Sequence, residues 1–253
     1  MKTNQHKSIK ISMNQRAKKH LIIGAGEVGQ ALYNILKNHY RVEIRDKNDD
    51  KNGIFRVLHI AYPPKKDFIR ATKRYIKTYK PKLVIIHSTV AVSTTKKIAP
   101  FAVHSPIRGV HPRLEKGIRT FVKYFGGRDA KQAAKIFSDI GIKTKVFPKA
   151  ETTELLKLLD TTYYGWNIVF AKETKRICDK FGLDFNEVYT IANRDYNEGY
   201  KKLGMPHVMR PVLKPMPGKI GGHCVVPNCD LLDDWLTKTI KERNRKYGIR
   251  NYE

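Results

Sequence analysis

His20-Leu21-Ile22-Ile23-Gly24-Ala25-Gly26-Glu27-Val28-Gly29 is the stretch that decides how the chain folds. A short apolar run enters three glycines in the spacing G-x-G-x-x-G. Val28, Leu32, Ile35 and Leu36 then recur on one helical face. The pattern is strand, glycine turn, helix. A G-x-G-x-x-G carries meaning only in that context. Gly24, Gly26, Glu27, Val28 and Gly29 are therefore expected to hold a dinucleotide. Its pyrophosphate would rest on the helix N-terminus, where free N–H groups and the helix dipole favour negative charge. A second strand, 41–44, leads to Asp46, 22 residues after Gly24. A carboxylate there binds the ribose hydroxyls of NAD and repels a 2′-phosphate, so NAD is expected over NADP. Arg45 and Lys47 flank it.

Outward from that unit the alternation continues. Residues 57–61 read as a strand ending at Tyr62-Pro63-Pro64. Residues 67–79 read as a helix with Phe68, Ile69, Thr72 and Ile76 inward, and 83–86 as a buried parallel strand. The last runs into His87-Ser88-Thr89-Val90. Ligands bind at that edge of an open α/β sheet, so Ser88 and Thr89 join the expected cofactor site. Ser93, Thr94 and Thr95 offer caps for a short helix through Ile98. Further strands are expected at 101–104, 120–125 and 143–147, with a helix from Asp129 to Gly141. The connector from Asp46 to Val57 is too short for another helix and strand, so one βα unit is trimmed.

From Glu151 the period changes. Leu155, Leu159, Thr162, Trp166, Val169, Ile177 and Phe181 recur at helical spacing to Gly182, a helix of about 46 Å. Such a helix needs a partner along its length, and a homodimer through 151–182 is expected. A helix at 186–203, a Pro- and Gly-rich loop and a final basic helix at 230–247 follow. The expected fold is α/β. An N-terminal doubly wound parallel sheet (20–150) precedes an all-α domain on one long helix (151–247), between a basic tail (1–19) and a short tail (248–253).

The loop at 218–228 reads Gly-Lys-Ile-Gly-Gly-His-Cys-Val-Val-Pro-Asn. Pro211, Pro215 and Pro217 keep regular structure out of the chain before it. Gly221 and Gly222 allow close approach of a ligand. Cys224 is a candidate nucleophile; the alternative is a small buried apolar residue. Cys224 and Cys229 form a C-x4-C pair without a second pair at fitting spacing, so no metal site is expected. Lys157, Thr161 and Tyr164 share a face of the long helix. Lys157 can hold or deprotonate a substrate hydroxyl if burial lowers its pKa; the alternative is a solvated surface lysine. His104, Arg108 and His111 lie in a loop suited to an anionic substrate group, or in an ordinary surface loop.

The chain has 253 residues, 41% of them hydrophobic, and no run of about eighteen apolar residues that would span a membrane. Residues 1–19 are basic and lack the apolar segment of an export signal. Three cysteines are too few for a disulfide framework, which fits a reducing cytoplasm. The net charge of +27 bears on partners and solubility rather than on fold. Its lysines are spread over the chain and no nucleic-acid-binding motif accompanies them, so nucleic acid is not read as the main partner.

The order of motifs resembles one family. GAGEVG, Ser88-Thr89-Val90, Ser105-Pro106, Glu-x5-Lys-Leu-Leu-Asp-Thr-Thr-Tyr at 151–163 and Gly-Gly-His-Cys at 221–224 are similar to the UDP-glucose/GDP-mannose (nucleotide-sugar) dehydrogenases. More distantly they resemble the 6-phosphogluconate and β-hydroxyacid dehydrogenases. The resemblance implies two-step, NAD-dependent oxidation of a sugar alcohol to a carboxylate. Cys224 would form the thiohemiacetal and thioester, Lys157 would stabilise charge on the substrate oxygen, and Thr89 would position water and substrate. Thr161 stands where the family has asparagine and Asn228 where it has aspartate; both fall at catalytic positions. Ile107 and His111 stand where it has glutamates. His111, Arg108, Gly221, Gly222 and His223 are expected to bind substrate. The chain stops soon after the cysteine loop, so the family's C-terminal nucleotide-sugar domain is expected to be missing. Two alternatives remain: a catalytically impaired NAD-binding relative, and a two-electron β-hydroxyacid-type dehydrogenase.

Overall fold

The computed structural model describes residues 19–46, 49, 52–222 and 224–248. Residues 1–18 of the basic tail, 47, 48, 50, 51, His223 and 249–253 lie outside them. The chain divides into two compact units, 1–157 and 158–253.

Unit 1 is a layered α/β structure. Its strands are β1 (Lys19–Ile23), β2 (Arg41–Arg45), β3 (Val57–Ile60), β4 (Leu83–Ile86), β5 (Ala102–His104), β6 (Lys123–Gly126) and β7 (Thr144–Phe147). Among the described residues they form one sheet in the order β2-β1-β3-β4-β5-β6-β7. All pairs are parallel except β5 with β6, which meet antiparallel at His104 and Gly126. β3 pairs directly with β1, which leaves β2 at the edge. Among the described residues no strand lies beyond β2.

Both faces of the sheet are covered, which is why its strands read as continuous apolar runs. Ile22 and Ile85 pack with Leu32, Ile35 and Leu36 of α1 (Glu27–Leu36) and with Phe137 of α5 (Ala130–Ser138). Leu21, Ile23, Leu58, Ile60, Val84 and Ile86 face the other way, toward Phe68 and Tyr75 of α2 (Phe68–Tyr79). Ile69 and Ile76 flank this cluster, while Ala71, Tyr75 and Tyr79 carry more of the buried face than their polarity suggests.

Two expectations for unit 1 are corrected. The strand expected at 120–125 begins only at Lys123, because α4 (Leu114–Thr120) precedes it. Its single buried turn, Leu114, Gly117 and Ile118, is too short for periodicity to reveal. The cap of α3 (Thr94–Ile98) comes from elsewhere. Ser93 makes no side-chain cap bond, and the Glu154 carboxylate accepts from Ser93 N (2.6 Å) and Thr95 N (2.8 Å) instead.

The long helix, α6 (Ala150–Lys180), runs across the division between the units. In unit 2 a π-helical turn (Asn186–Ile191) leads into α7 (Ala192–Lys202), in place of the one continuous helix expected. The loop at 218–228 becomes helical at α8 (Val225–Cys229), and the last helix, α9 (Trp235–Lys246), starts later than expected. The stripe expected on α6 is also corrected. Thr162 and Val169 are buried, but Leu155, Leu159, Ile177 and Phe181 are exposed. Leu158, Thr161, Gly165, Ala171 and Cys178 take the buried face. Small residues allow close approach, and that weighs more here than hydrophobicity. A Cβ on Gly165 would stand 2.8 Å from Val225 Cγ1 and 3.0 Å from Ile240 Cδ1.

Candidate active site

In unit 1 the expected cofactor residues gather at one sheet edge. Gly24 N donates to Arg45 O (2.8 Å), Ala61 N to Ile23 O (2.8 Å), His87 N to Ile60 O (2.8 Å) and Ser105 N to Ile86 O (2.8 Å). The ladder thus extends past the strand ends and lines up Gly24, Ala61, His87 and Ser105. Gly24 has φ +108, and a Cβ there would lie 2.9 Å from Ala61 C and Tyr62 N. A Cβ on Gly29 would lie 1.8 Å from Gly24 O. Gly26 differs, because nothing stands within 4 Å of its absent Cβ. Open space at the N-terminus of α1 is the cradle that a phosphate needs, and Val28 packs behind it against the core. Asp46 is exposed, one residue beyond β2. These residues fit NAD.

Arg45 is turned to structural work. Its guanidinium donates to Tyr79 Oη (3.1 Å) and Glu43 Oε2 (2.8 Å) and lies 5.0 Å from the centre of the Phe55 ring. Ser88 is buried and donates its hydroxyl to Tyr62 O (2.6 Å), while Thr89 is half-buried. Glu27, expected at the cofactor, and His111, expected at the substrate, meet: His111 Nδ1 lies 2.5 Å from Glu27 Oε2. Arg108 lies over the rings of Tyr124 (5.0 Å) and Phe121 (5.5 Å). Ile107 belongs to the core.

Sequence places His104 at the end of a strand and the start of a loop; the structure shows it fully buried beside Ser88 and α6. Nε2 pairs with Ser88 O (3.2 Å) and Nδ1 with Thr153 Oγ1 (2.9 Å). Burial pushes its pKa down to about 3, so it is neutral at physiological pH. Together with Glu154 it fastens the first turns of α6 to the segment carrying Ser88 and Thr89. Burial raises the Glu154 carboxyl's pKa, and the two N–H donors oppose that rise. Lys157, half-buried, follows one turn later on α6.

Unit 2 holds the rest. Cys224 is half-buried at the N-cap of α8. Gly221 and Gly222 before it are exposed, with Gly222 at φ +82. The loop is pinned on both sides. Ile220 and Val225 pack with Val169, Ile240 and Tyr247, and Ile220 N donates to Asn244 Oδ1 (2.6 Å). Cys229 lies in that apolar cluster, where burial raises its thiol pKa. Thr161 and Asn228 meet: Asn228 Nδ2 donates to Thr161 Oγ1 (3.3 Å), and Thr161 Oγ1 donates to Leu158 O (3.0 Å). Two of the positions expected to depart from the family pattern are thus hydrogen-bonded to each other. Tyr164 is exposed, and His223 lies outside the described residues.

A doubly wound sheet with a glycine turn at its ligand edge, followed by a long-helix unit, defines a Rossmann-type α/β architecture. Residues 151–238 match the UDP-glucose/GDP-mannose dehydrogenase family, central domain. The UDP-N-acetyl-D-mannosamine dehydrogenase of Methanococcus maripaludis (strain C7) is 28% identical over 175 residues. That of Methanocaldococcus jannaschii is 30% identical over 175 residues. Each match covers 65% of this chain and 36% of the relative, so the chain spans about a third of the length of these relatives. The structure of UDP-D-ManNAc dehydrogenase from Pyrococcus horikoshii superposes with a TM-score of 0.74 at 19% identity. It covers 90% of this chain and 68% of the other, and the likeness is one of fold. Among the described residues no helix is long and apolar enough to cross a membrane.

Proposed function

We propose that this protein is an NAD-dependent dehydrogenase that oxidises an alcohol group of a sugar nucleotide, with a UDP-N-acetylhexosamine as the first substrate to try. The observation that carries the reading is the match at 151–238, which contains Lys157, Thr161, Cys224 and Asn228. The open cradle at Gly26 and the carboxylate of Asp46 support NAD as cofactor. When bound, NAD supplies the hydride acceptor. Gly24, Gly26 and Gly29 shape the turn that receives the pyrophosphate, and Asp46 takes the ribose hydroxyls. Ser88 holds the strand end through Tyr62 O, and Thr89 beside it positions substrate and water.

Lys157 stabilises negative charge on the substrate oxygen as its proton leaves, and loss of a first hydride from the carbon gives the aldehyde. The Cys224 thiolate adds to the aldehyde carbon, giving a thiohemiacetal. Loss of a second hydride makes the thioester, and water releases the carboxylate and frees the thiol. Gly221, Gly222 and His223 bring the loop to the substrate, and Arg108 offers it a cation. A second copy of the chain is the proposed partner. Leu155, Leu159, Tyr163, Phe170, Ile177 and Phe181 form an exposed apolar stripe on α6 at spacings of three to four residues and their sums.

A second reading rests on the Thr161–Asn228 pair. An amide cannot act as a base, and here it is already bonded to the hydroxyl beside it. That favours a relative that binds NAD but turns over slowly or not at all. NADH formation with UDP-N-acetylmannosamine, UDP-glucose, GDP-mannose and simple hydroxyacids decides between the two. The first reading expects two NADH per sugar, and aldehyde accumulation in Cys224→Ser. No NADH from any alcohol, with NAD still raising the melting temperature, establishes the second reading.

A further inference from the structure

A row of ring nitrogens crosses the buried centre of the sheet in unit 1. His20 on β1 and His59 on β3 are 0% exposed, and His87, just past β4, is 2% exposed. His20 Nδ1 lies 3.0 Å from His59 Nε2, and His59 Nδ1 lies 3.0 Å from His87 Nε2. The three rings stack in sequence, with interplanar angles of 23° and 9°. His87 Nδ1 then lies 3.0 Å from Ser105 O and 3.4 Å from Lys123 Nζ, which itself donates to Ser105 O (3.2 Å).

A nitrogen–nitrogen contact between neutral imidazoles needs one N–H and one lone pair. Each neutral ring carries one proton, so placing it on one ring determines the next. Only two arrangements satisfy both contacts: all three rings protonated at Nδ1, or all three at Nε2. Lys123 distinguishes them. An ammonium has donors and no lone pair, so its 3.4 Å approach favours a bare Nδ1 on His87 and hence the Nε2–H arrangement, in which Ser105 O gives up the His87 N–H and keeps the Lys123 donor. A neutral amine carries a lone pair and tolerates His87 Nδ1–H, which also donates to Ser105 O. We propose that His20, His59, His87 and Lys123 form one collective proton relay, in which the charge state of Lys123 sets the tautomer of all three histidines.

The protons balance. One proton enters at His20 Nε2 from water. The Nδ1 protons of His20, His59 and His87 each shift one place, to His59 Nε2, His87 Nε2 and Lys123 Nζ. The net change is a single proton added, on Lys123. Burial supports this range, pushing Lys123 down to about 7. Burial, reinforced by the neighbouring rings and Lys123, holds His59 and His87 well below the usual histidine value, so the rings stay neutral.

The other titratable groups facing the row are Tyr40 and His104. Tyr40 stacks on His20 at 4.6 Å; burial and Asp139 raise its pKa to about 12. His104 is held neutral by burial, with Lys123 and Lys157 acting on it as well. Phe137 of α5 closes the row over His59 and His87. His87 precedes Ser88 and Thr89, and Ser105 opens the Ser-Pro loop, so the relay ends at the sheet's ligand edge. The relay stands whether or not the proposed activity does.

Nitrogen-15 NMR of the imidazoles in the full chain, titrated across neutral pH, tests it. All three rings are expected to carry Nε2–H on the acid side and Nδ1–H on the alkaline side, with one shared midpoint. Lys123→Met is expected to hold all three at Nδ1–H throughout. His59→Phe is expected to leave His87 following Lys123 while His20 no longer does. Separate midpoints, tautomers that do not change with pH in the native chain, or a swap that survives in Lys123→Met would overturn the relay. The native titration alone decides the matter if a variant does not fold.

Discussion

The two units solve the burial problem differently. Unit 1 closes its core on both faces of a sheet and even encloses polar groups there: four histidines, Lys123 and Glu154 are buried with partners. Unit 2 buries one compact cluster around Val169, Val225 and Ile240, and leaves Phe170 and Phe181 of its long helix 63% and 66% exposed. α7 has no buried residue. A sheet covered on both sides can satisfy itself within one chain, whereas a long helix presents more apolar surface than a small unit can cover. Unit 1 meets its burial needs within its own sheet and helices, while unit 2 leaves apolar surface that the proposed second copy would cover.

The largest expected effect breaks the self-sufficiency of unit 1. Gly29→Val would drive a Cβ to within 1.8 Å of Gly24 O, where backbone cannot yield. A loss of more than about 4 kcal/mol is expected, on the scale of severe core substitutions, together with loss of NAD binding. Chemical unfolding and calorimetric titration measure the two. Near-native stability would show that the turn is looser than the contact implies.

An intermediate effect comes from the enclosed charge. The Lys123 pKa falls from 10.5 to about 7 on burial. Between those values the unfolded chain binds more protons than the folded one, so stability rises with pH by about 1.4 kcal/mol per pH unit. Below that range the lowered histidines add to the loss, because acid protonates them only in the unfolded chain. Tyr40 and Tyr62, both raised to about 12 by burial, reverse the trend at high pH. Lys123→Met is expected to stabilise the chain at about pH 6 more than at about pH 9 and to flatten the slope between. Denaturant midpoints at the two pH values read this out, and an unchanged slope would place the charge elsewhere.

The smallest effect on the fold sharpens the picture of unit 2. Ile177→Glu alters an exposed position and is expected to change the stability of a single chain by less than about 0.5 kcal/mol. It is expected to convert a dimer to monomer in sedimentation. A dimer that survives would show that another surface makes it.

Much of the fold is legible in the amino-acid order alone. The glycine turn, the strands at Lys19–Ile23, Leu83–Ile86 and Thr144–Phe147 and the span of the long helix follow from spacing within a few residues of one another. The short motifs at 151–163 and 221–224 fall within the family match at 151–238. What spacing misses is short, such as the helix Leu114–Thr120, or depends on which face turns inward, such as the Leu155–Leu159 side of α6. Hydrophobicity names an apolar stripe there, but small residues such as Gly165 decide which face can be approached.

The sequence by itself determined the class of fold and the place of its turn, because periodicity and glycine conformational freedom act between near neighbours. Only the tertiary structure decided that Asn228 bonds Thr161 across 67 residues, that Glu154 caps a helix 59 residues upstream, and that three histidines align with Lys123. Those pairings join side chains that strand order and helix packing bring together, and no local pattern encodes them. The physical reason is the same in each case: a buried polar group must find a partner, and the fold alone decides which one is within reach.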